Sequence, residues 1–105
     1  MGRLVARGDQ RDDVDTGHLC DGSTTTDQCS PDVIVCGYGV VREGDANTSH
    51  LVGDDPPCSG HAPTMSTNMS TSVKANGDYI AMKLSKYGTE VIDDIHSEQT
   101  TVFAT

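Results

Sequence analysis

The sequence predicts an all-β fold of short strands and long loops, organised as three unequal internal repeats. Three observations predict it. Turn signals recur every few residues: Cys20-Asp21-Gly22, Gly37-Tyr38-Gly39, Glu43-Gly44-Asp45, Pro56-Pro57 and Asn76-Gly77-Asp78. Short β-branched runs lie between them, and helical periodicity is nearly absent. The third observation is a phrase that occurs three times and degrades each time. Val5-Ala6-Arg7-Gly8-Asp9 leads to Gly17-His18, and Val40-Val41-Arg42-Glu43-Gly44-Asp45 leads to Ser49-His50. A worn copy begins at Tyr79-Ile80-Ala81-Met82-Lys83 and runs on to His96. Such a repeat implies a pseudo-symmetric architecture in which equivalent loops converge.

The copies divide a single domain, residues 1–105, into repeats of roughly 1–39, 40–78 and 79–105. In the first, Val33-Ile34-Val35-Cys36 alternates like a strand, with Cys36 expected as a small core residue. The Gly37-Tyr38-Gly39 turn then returns the chain antiparallel into Val40-Val41. In the second, the polar stretch Met65–Ser72 reads as a loop that returns to a β-run, Val73-Lys74-Ala75. Asn76-Gly77 follows it and is the strongest hairpin signal, because a type I′ turn needs positive φ at both central residues. In the third, Tyr79–Leu84 alternates like a strand as readily as it winds like a helix, between Gly77 and Gly88. Thr101-Val102-Phe103 is the last β-run.

The core available to this chain is thin. There is no Trp, one Phe and three Tyr, and 34% of residues are apolar. A domain of this size is marginal without a staple such as a metal, a disulfide or a partner surface. The formal charge of −9 excludes nucleic acid as a partner class, since that affinity comes from Lys and Arg on phosphates. It equally opposes attraction to an anionic membrane surface. The paired acids Asp54-Asp55 and Asp93-Asp94 lack the alternating spacing of a calcium loop and read as solvated surface. Met1–Val5 has no signal-peptide core, and nowhere do about 18 apolar residues run together. The expected product is soluble and made in the cytoplasm. There, Cys20, Cys29, Cys36 and Cys58 are expected as free thiols or metal ligands; in an oxidising compartment they allow three disulfide pairings, which sequence does not choose between.

All four histidines lie in or beside the repeat loops, and three His with one Cys is a natural tetrahedral zinc set. The expected ligands are His18, His50, Cys58 and His61, the Cys58-to-His61 spacing letting both reach one ion from a tight turn. His96 and Cys20 are the alternatives for the fourth position, and iron is the alternative metal. A closed site of this kind is structural, and its binding energy counts as folding energy. Catalysis is not expected: there is no Gly-x-Ser-x-Gly elbow and no His-Glu-x-x-His motif.

One family resemblance spans nearly the whole chain in order. Ala6-Arg7-Gly8-Asp9, Gly17-His18, Ser30-Pro31-Asp32-Val33-Ile34-Val35, Arg42-Glu43-Gly44-Asp45, Ser49-His50, Cys58-Ser59-Gly60-His61, Asn76-Gly77-Asp78 and Thr101-Val102-Phe103-Ala104 together resemble the PAAR-repeat (proline-alanine-alanine-arginine) proteins. These tip contractile phage tails, type VI secretion systems and related injection machines. The phrase that names the family is absent here, Leu4-Val5-Ala6-Arg7 being its nearest echo, and the third copy reads Ala81-Met82-Lys83-Leu84-Ser85. The resemblance implies a small cone with pseudo-threefold symmetry, its apex pinned by zinc. It also implies a base seated on one trimeric β-helical spike, one cone per trimer, and transient contact with a target-cell envelope. The chain would be a monomer by itself, assembled into a virion tail baseplate or a secretion spike. The alternative is a free-standing metal-binding module or minor cysteine/zinc-dependent hydrolase.

Overall fold

A computed structural model describes residues 2–52, 58–96 and 99–105. The Asp54-Asp55 pair and the Pro56-Pro57 turn lie outside them. Among the described residues there are strands and turns and no helix, as the turn spacing predicts.

The strands are β1 (Arg3–Leu4), β2 (Asp13–Asp15), β3 (Ser23–Thr25), β4 (Ile34–Val35), β5 (Tyr38–Gly39) and β6 (His50–Val52), then β7 (Ser59–His61), β8 (Lys74–Ala75), β9 (Asp78–Tyr79), β10 (Lys86–Tyr87), β11 (Glu90–Asp94) and β12 (Phe103–Ala104). One four-stranded sheet has the order β10-β11-β2-β3, and the rest pair as two-stranded ribbons: β1-β12, β4-β5, β6-β7 and β8-β9.

The three repeats meet in a closed ring of backbone hydrogen bonds. Ala6 N–H donates to Ala81 O (3.0 Å), Ala81 N–H to Val41 O (2.8 Å), and Val41 N–H to Ala6 O (3.1 Å). Next to each ring residue, a bond reaches a ribbon of the same kind: Val5 to Val102 (3.0 Å), Val40 to Val33 (3.0 Å) and Ile80 to Val73 (3.1 Å). The alternation of an extended chain then splits each pair between two core layers. Ala6, Val41 and Ala81 pack with Val14, Met65, Tyr87 and Ile92, while Val5, Val40 and Ile80 pack with Ala75, Met82 and Ala104.

The ribbons β4-β5, β8-β9 and β1-β12 are each introduced by one side chain that accepts two backbone N–H groups. Ser30 Oγ serves Asp32 and Val33, Ser70 Oγ serves Ser72 and Val73, and Gln99 Oε1 serves Thr101 and Val102. The third copy thus keeps the device with a different residue. Two ribbons close through tight turns with positive φ at both central residues, Cys36-Gly37 (48° and 88°) and Asn76-Gly77 (55° and 86°). The expected reversal at Gly37-Tyr38-Gly39 is corrected by one position, because Cys36 takes the left-handed place that Asn76 holds in the next repeat. Cys36 is consequently an exposed free thiol rather than a core residue.

After the ring, each repeat turns on a short polar contact. Arg7 N–H donates to Asp12 Oδ2 (2.7 Å), Arg42 N–H to Asp45 Oδ2 (2.8 Å), and Met82 N–H to Ser85 Oγ (2.8 Å). The structural counterpart of Asp45 is therefore Asp12, not Asp9. Asp9 and Gln10, both at positive φ (56° and 63°), form an extra loop in the first copy. In the third copy Leu84 (φ 76°) occupies the place of Gly44 (φ 88°). A left-handed non-glycine residue costs roughly 1–2 kcal/mol, of which glycine's unfolded-state entropy returns about 0.4–1 kcal/mol. Leu84 is 47% exposed, so its side chain contributes little packing. Leu84→Gly is expected to stabilise the chain by about 0.5 kcal/mol, a rise of a few degrees in thermal midpoint by calorimetry.

Candidate metal centre

The sheet β10-β11-β2-β3 builds the site by register. Val91 pairs with Asp15 and Ile92 with Val14, which sets Glu90 beside the loop that links β2 to β3 and carries His18. Thr16 ties that loop: its N–H donates to Gly22 O (3.1 Å), and its hydroxyl donates to Asp21 O and accepts from His18 N–H. His50 opens β6 and His61 ends β7, and the two are direct cross-strand partners.

All three imidazoles converge on one carboxylate oxygen. His18, His50 and His61 place Nε2 at 3.1, 2.8 and 3.1 Å from Glu90 Oε2. The other oxygen, Oε1, accepts from Asn47 Nδ2 at 2.9 Å. The cluster has a closed side and an open one: Glu90 and His50 are buried, whereas the His18 and His61 side chains are 27% and 36% exposed.

Charge and hydrogen bonding act on both ends. Burial alone would raise the Glu90 pKa, but the bonds from His50 and Asn47 and the charge of the imidazoles outweigh it, and the net shift is downward. Burial alone would lower His50; the Thr48 carbonyl and Glu90 outweigh it, and the net shift is upward.

The donor set fits a cation. His50 Nδ1 lies 2.8 Å from Thr48 O, so its proton resides there. A neutral His50 ring then aims the Nε2 lone pair at a carboxylate oxygen, which is repulsive unless a proton or a metal lies between them. One carboxylate oxygen with two lone pairs also cannot accept three well-directed imidazole protons. Ligand atoms at 2.0–2.2 Å from a tetrahedral ion stand about 3.3 Å apart, close to the N-to-O separations seen here, although His50, whose ring centroid is 6.5 Å from that of His18, stands outside the mutually close set. His18, His61 and Glu90 present ligand atoms all within 4.8 Å of one another and can hold a metal ion.

The other expected positions fall elsewhere. Cys58, expected as the fourth ligand, is bonded to Cys20, with a Cα–Cα distance of 6.2 Å. That corrects the ligand expectation for both residues, because a disulfide sulfur is not a thiolate. His96 faces Asp13 at 3.4 Å and does not reach the cluster. Cys29 is half-buried, and burial, followed by Asp45 and Asp9, pushes its thiol pKa up. Glu90 was missed, although a signal existed. Residues 30–52 and 70–92 superpose at a spacing of 40, matching Ser30 to Ser70, Val33 to Val73, Gly37 to Gly77 and His50 to Glu90. The third-repeat counterpart of His50 is a carboxylate, not His96.

No protein-family model matches the chain, and no curated protein matches its sequence.

Proposed function

We propose that the chain is a non-enzymatic structural tip that caps the end of a trimeric β-helical spike, stabilised by zinc held by His18, His50, His61 and Glu90. One observation carries the reading. Val33 and Val35, Val73, and Val102 and Phe103, drawn from all three repeats, surround a single apolar hollow of about 210 Å³. Ile34 in β4 and Phe103 in β12 are 55% and 56% exposed. A pseudo-threefold apolar face on one chain is matched in symmetry to a trimer end. Two-stranded ribbons also leave open strand edges that a β-helical partner can continue. A closed His₃Glu site suits a structural role, since the metal then adds folding energy to a thin core. The resemblance to PAAR-repeat proteins supports the same reading.

The test combines metal analysis with assembly. The purified chain is expected to hold about one zinc, lost in His18→Ala, His50→Ala or His61→Ala variants. Co-expressed with a β-helical spike, it is expected to co-purify at one chain per trimer. An Ile34→Asp, Phe103→Asp variant is expected to keep its zinc and lose the trimer. A folded, zinc-loaded chain that joins no such trimer would sink the tip reading and leave a free-standing metal module.

A further inference from the structure

We infer that the Cys20–Cys58 disulfide is a redox-controlled clamp that sets the affinity of the metal centre. The inference rests on the reading that the His–Glu cluster binds metal. Cys20 lies two residues after His18, and Cys58 three residues before His61. The bond therefore joins the two segments that supply the partly exposed histidines, the β2–β3 loop and the β6–β7 ribbon. The buried half of the site does not depend on it. His50 is anchored through Nδ1 to Thr48 (2.8 Å), and Thr48 is in turn held by Thr24 and Thr25 hydroxyls at 3.1 and 2.7 Å. Glu90 is fixed by Asn47 and by the pairing of β11 with β2.

His18 and His61 have no comparable anchor between their segments. Apart from the disulfide and the Glu90 carboxylate itself, one bond joins these segments among the described residues, from Leu51 N–H to Asp21 Oδ2 at 2.7 Å. His61 sits on a strand of three residues that, among the described residues, pairs with β6 alone. Reduction breaks the S–S bond and forms two S–H bonds, taking two electrons and two protons from a dithiol that closes its own disulfide. The ring of backbone bonds through Ala6, Val41 and Ala81 includes neither cysteine and is kept, but two of the four metal donors lose their common tether. Metal binding must then order them, and ordering even one residue's backbone is equivalent to about tenfold in affinity. The chain is thus a weaker metal binder in a reducing compartment and closes on the ion when oxidised.

The test titrates the full chain with zinc against a chromogenic chelator in three forms: oxidised, reduced with a non-chelating phosphine, and as the Cys20→Ser, Cys58→Ser variant. The reduced and Ser forms are expected to bind at least about tenfold more weakly, with reoxidation restoring the wild type alone. Circular dichroism is expected to show the strands retained. Equal affinity in all forms overturns the clamp and leaves the metal centre standing. Tight binding by the reduced wild type with weak binding by the Ser variant also overturns it, because thiolates have then become ligands. Global unfolding on reduction overturns it as well. An oxidised, folded chain that binds no zinc overturns the metal centre itself, and the clamp with it.

Discussion

Asp12→Ala is expected to destabilise the chain by about 3–5 kcal/mol, the cost of breaking a buried ion pair by removing its carboxylate. Arg7 and Asp12 are both fully buried. The carboxylate receives Arg7 Nη2 at 3.1 Å, Arg7 Nε at 3.5 Å and the Arg7 backbone N–H at 2.7 Å. It also takes His96 N–H at 3.0 Å, tying the third repeat to the first. For a small domain whose total stability is about 5–15 kcal/mol, this loss lowers the thermal midpoint by roughly 15 °C or more. The third repeat supplies the control, because it solves the same turn with Met82 and Ser85. Arg7→Met, Asp12→Ser together should cost clearly less than the sum of the singles, since the two buried charges are then removed together. Denaturant midpoints for the two singles and the double decide it. Strict additivity would mean the pair is not coupled as its geometry indicates.

Glu90→Gln is expected to weaken zinc binding by about 100-fold or more, exceeding the 10–100-fold typical of a residue that merely orients a ligand. It removes the one anion on which His18, His50 and His61 converge. The variant also carries a pH signature in the metal-free protein. The folded His50 pKa lies above its ordinary 6.5, so its contribution is complete below 6.5 and fades as pH rises through the folded value. The folded Glu90 pKa lies below its ordinary 4.5, so its contribution is present above 4.5 and fades as pH falls through the folded value. Without metal, the cluster therefore stabilises the wild type most between about pH 4.5 and 6.5. In Glu90→Gln the acid edge of that window should vanish from a thermal-melt series and its upper edge shrink to what the Thr48 carbonyl alone sustains. On the proposed ligation zinc acts with the opposite slope, because it needs His50 deprotonated; its stabilising effect should grow as pH rises through the folded His50 value. A wild type whose zinc-induced gain is flat with pH would contradict imidazole ligation.

Much of the fold was legible because its causes are local. Turn chemistry at Asn76-Gly77 needs only two residues and the sign of φ, so the ribbon it closes could be placed from the sequence. The strand alternation in Tyr79–Leu84 is likewise local and puts Ile80 and Ala81 on opposite sides without saying against what, whereas the alternation in Val33–Cys36 leaves Cys36 outside the core. The repeat register was less legible. The two-residue excursion at Asp9-Gln10 hides the equivalence of Asp12 and Asp45, and a left-handed leucine stands where the pattern calls for glycine.

All-β architecture and the repeated loops that carry His18, His50 and His61 are properties of the one-dimensional chain, because turn types, periodicity and repeated loops are short-range signals. Glu90 carries only one sequence signal, the 40-residue spacing that matches it to His50. Glu90 meets the histidines through the pairing of β11 with β2, residues that lie more than 70 positions apart in the sequence. Cys58 lies three residues from His61, yet its sulfur is bonded to Cys20, 38 residues away. Both outcomes follow from which strand edges and loops meet in space, and that choice is made by the packed ring of the three repeats rather than by any local spacing.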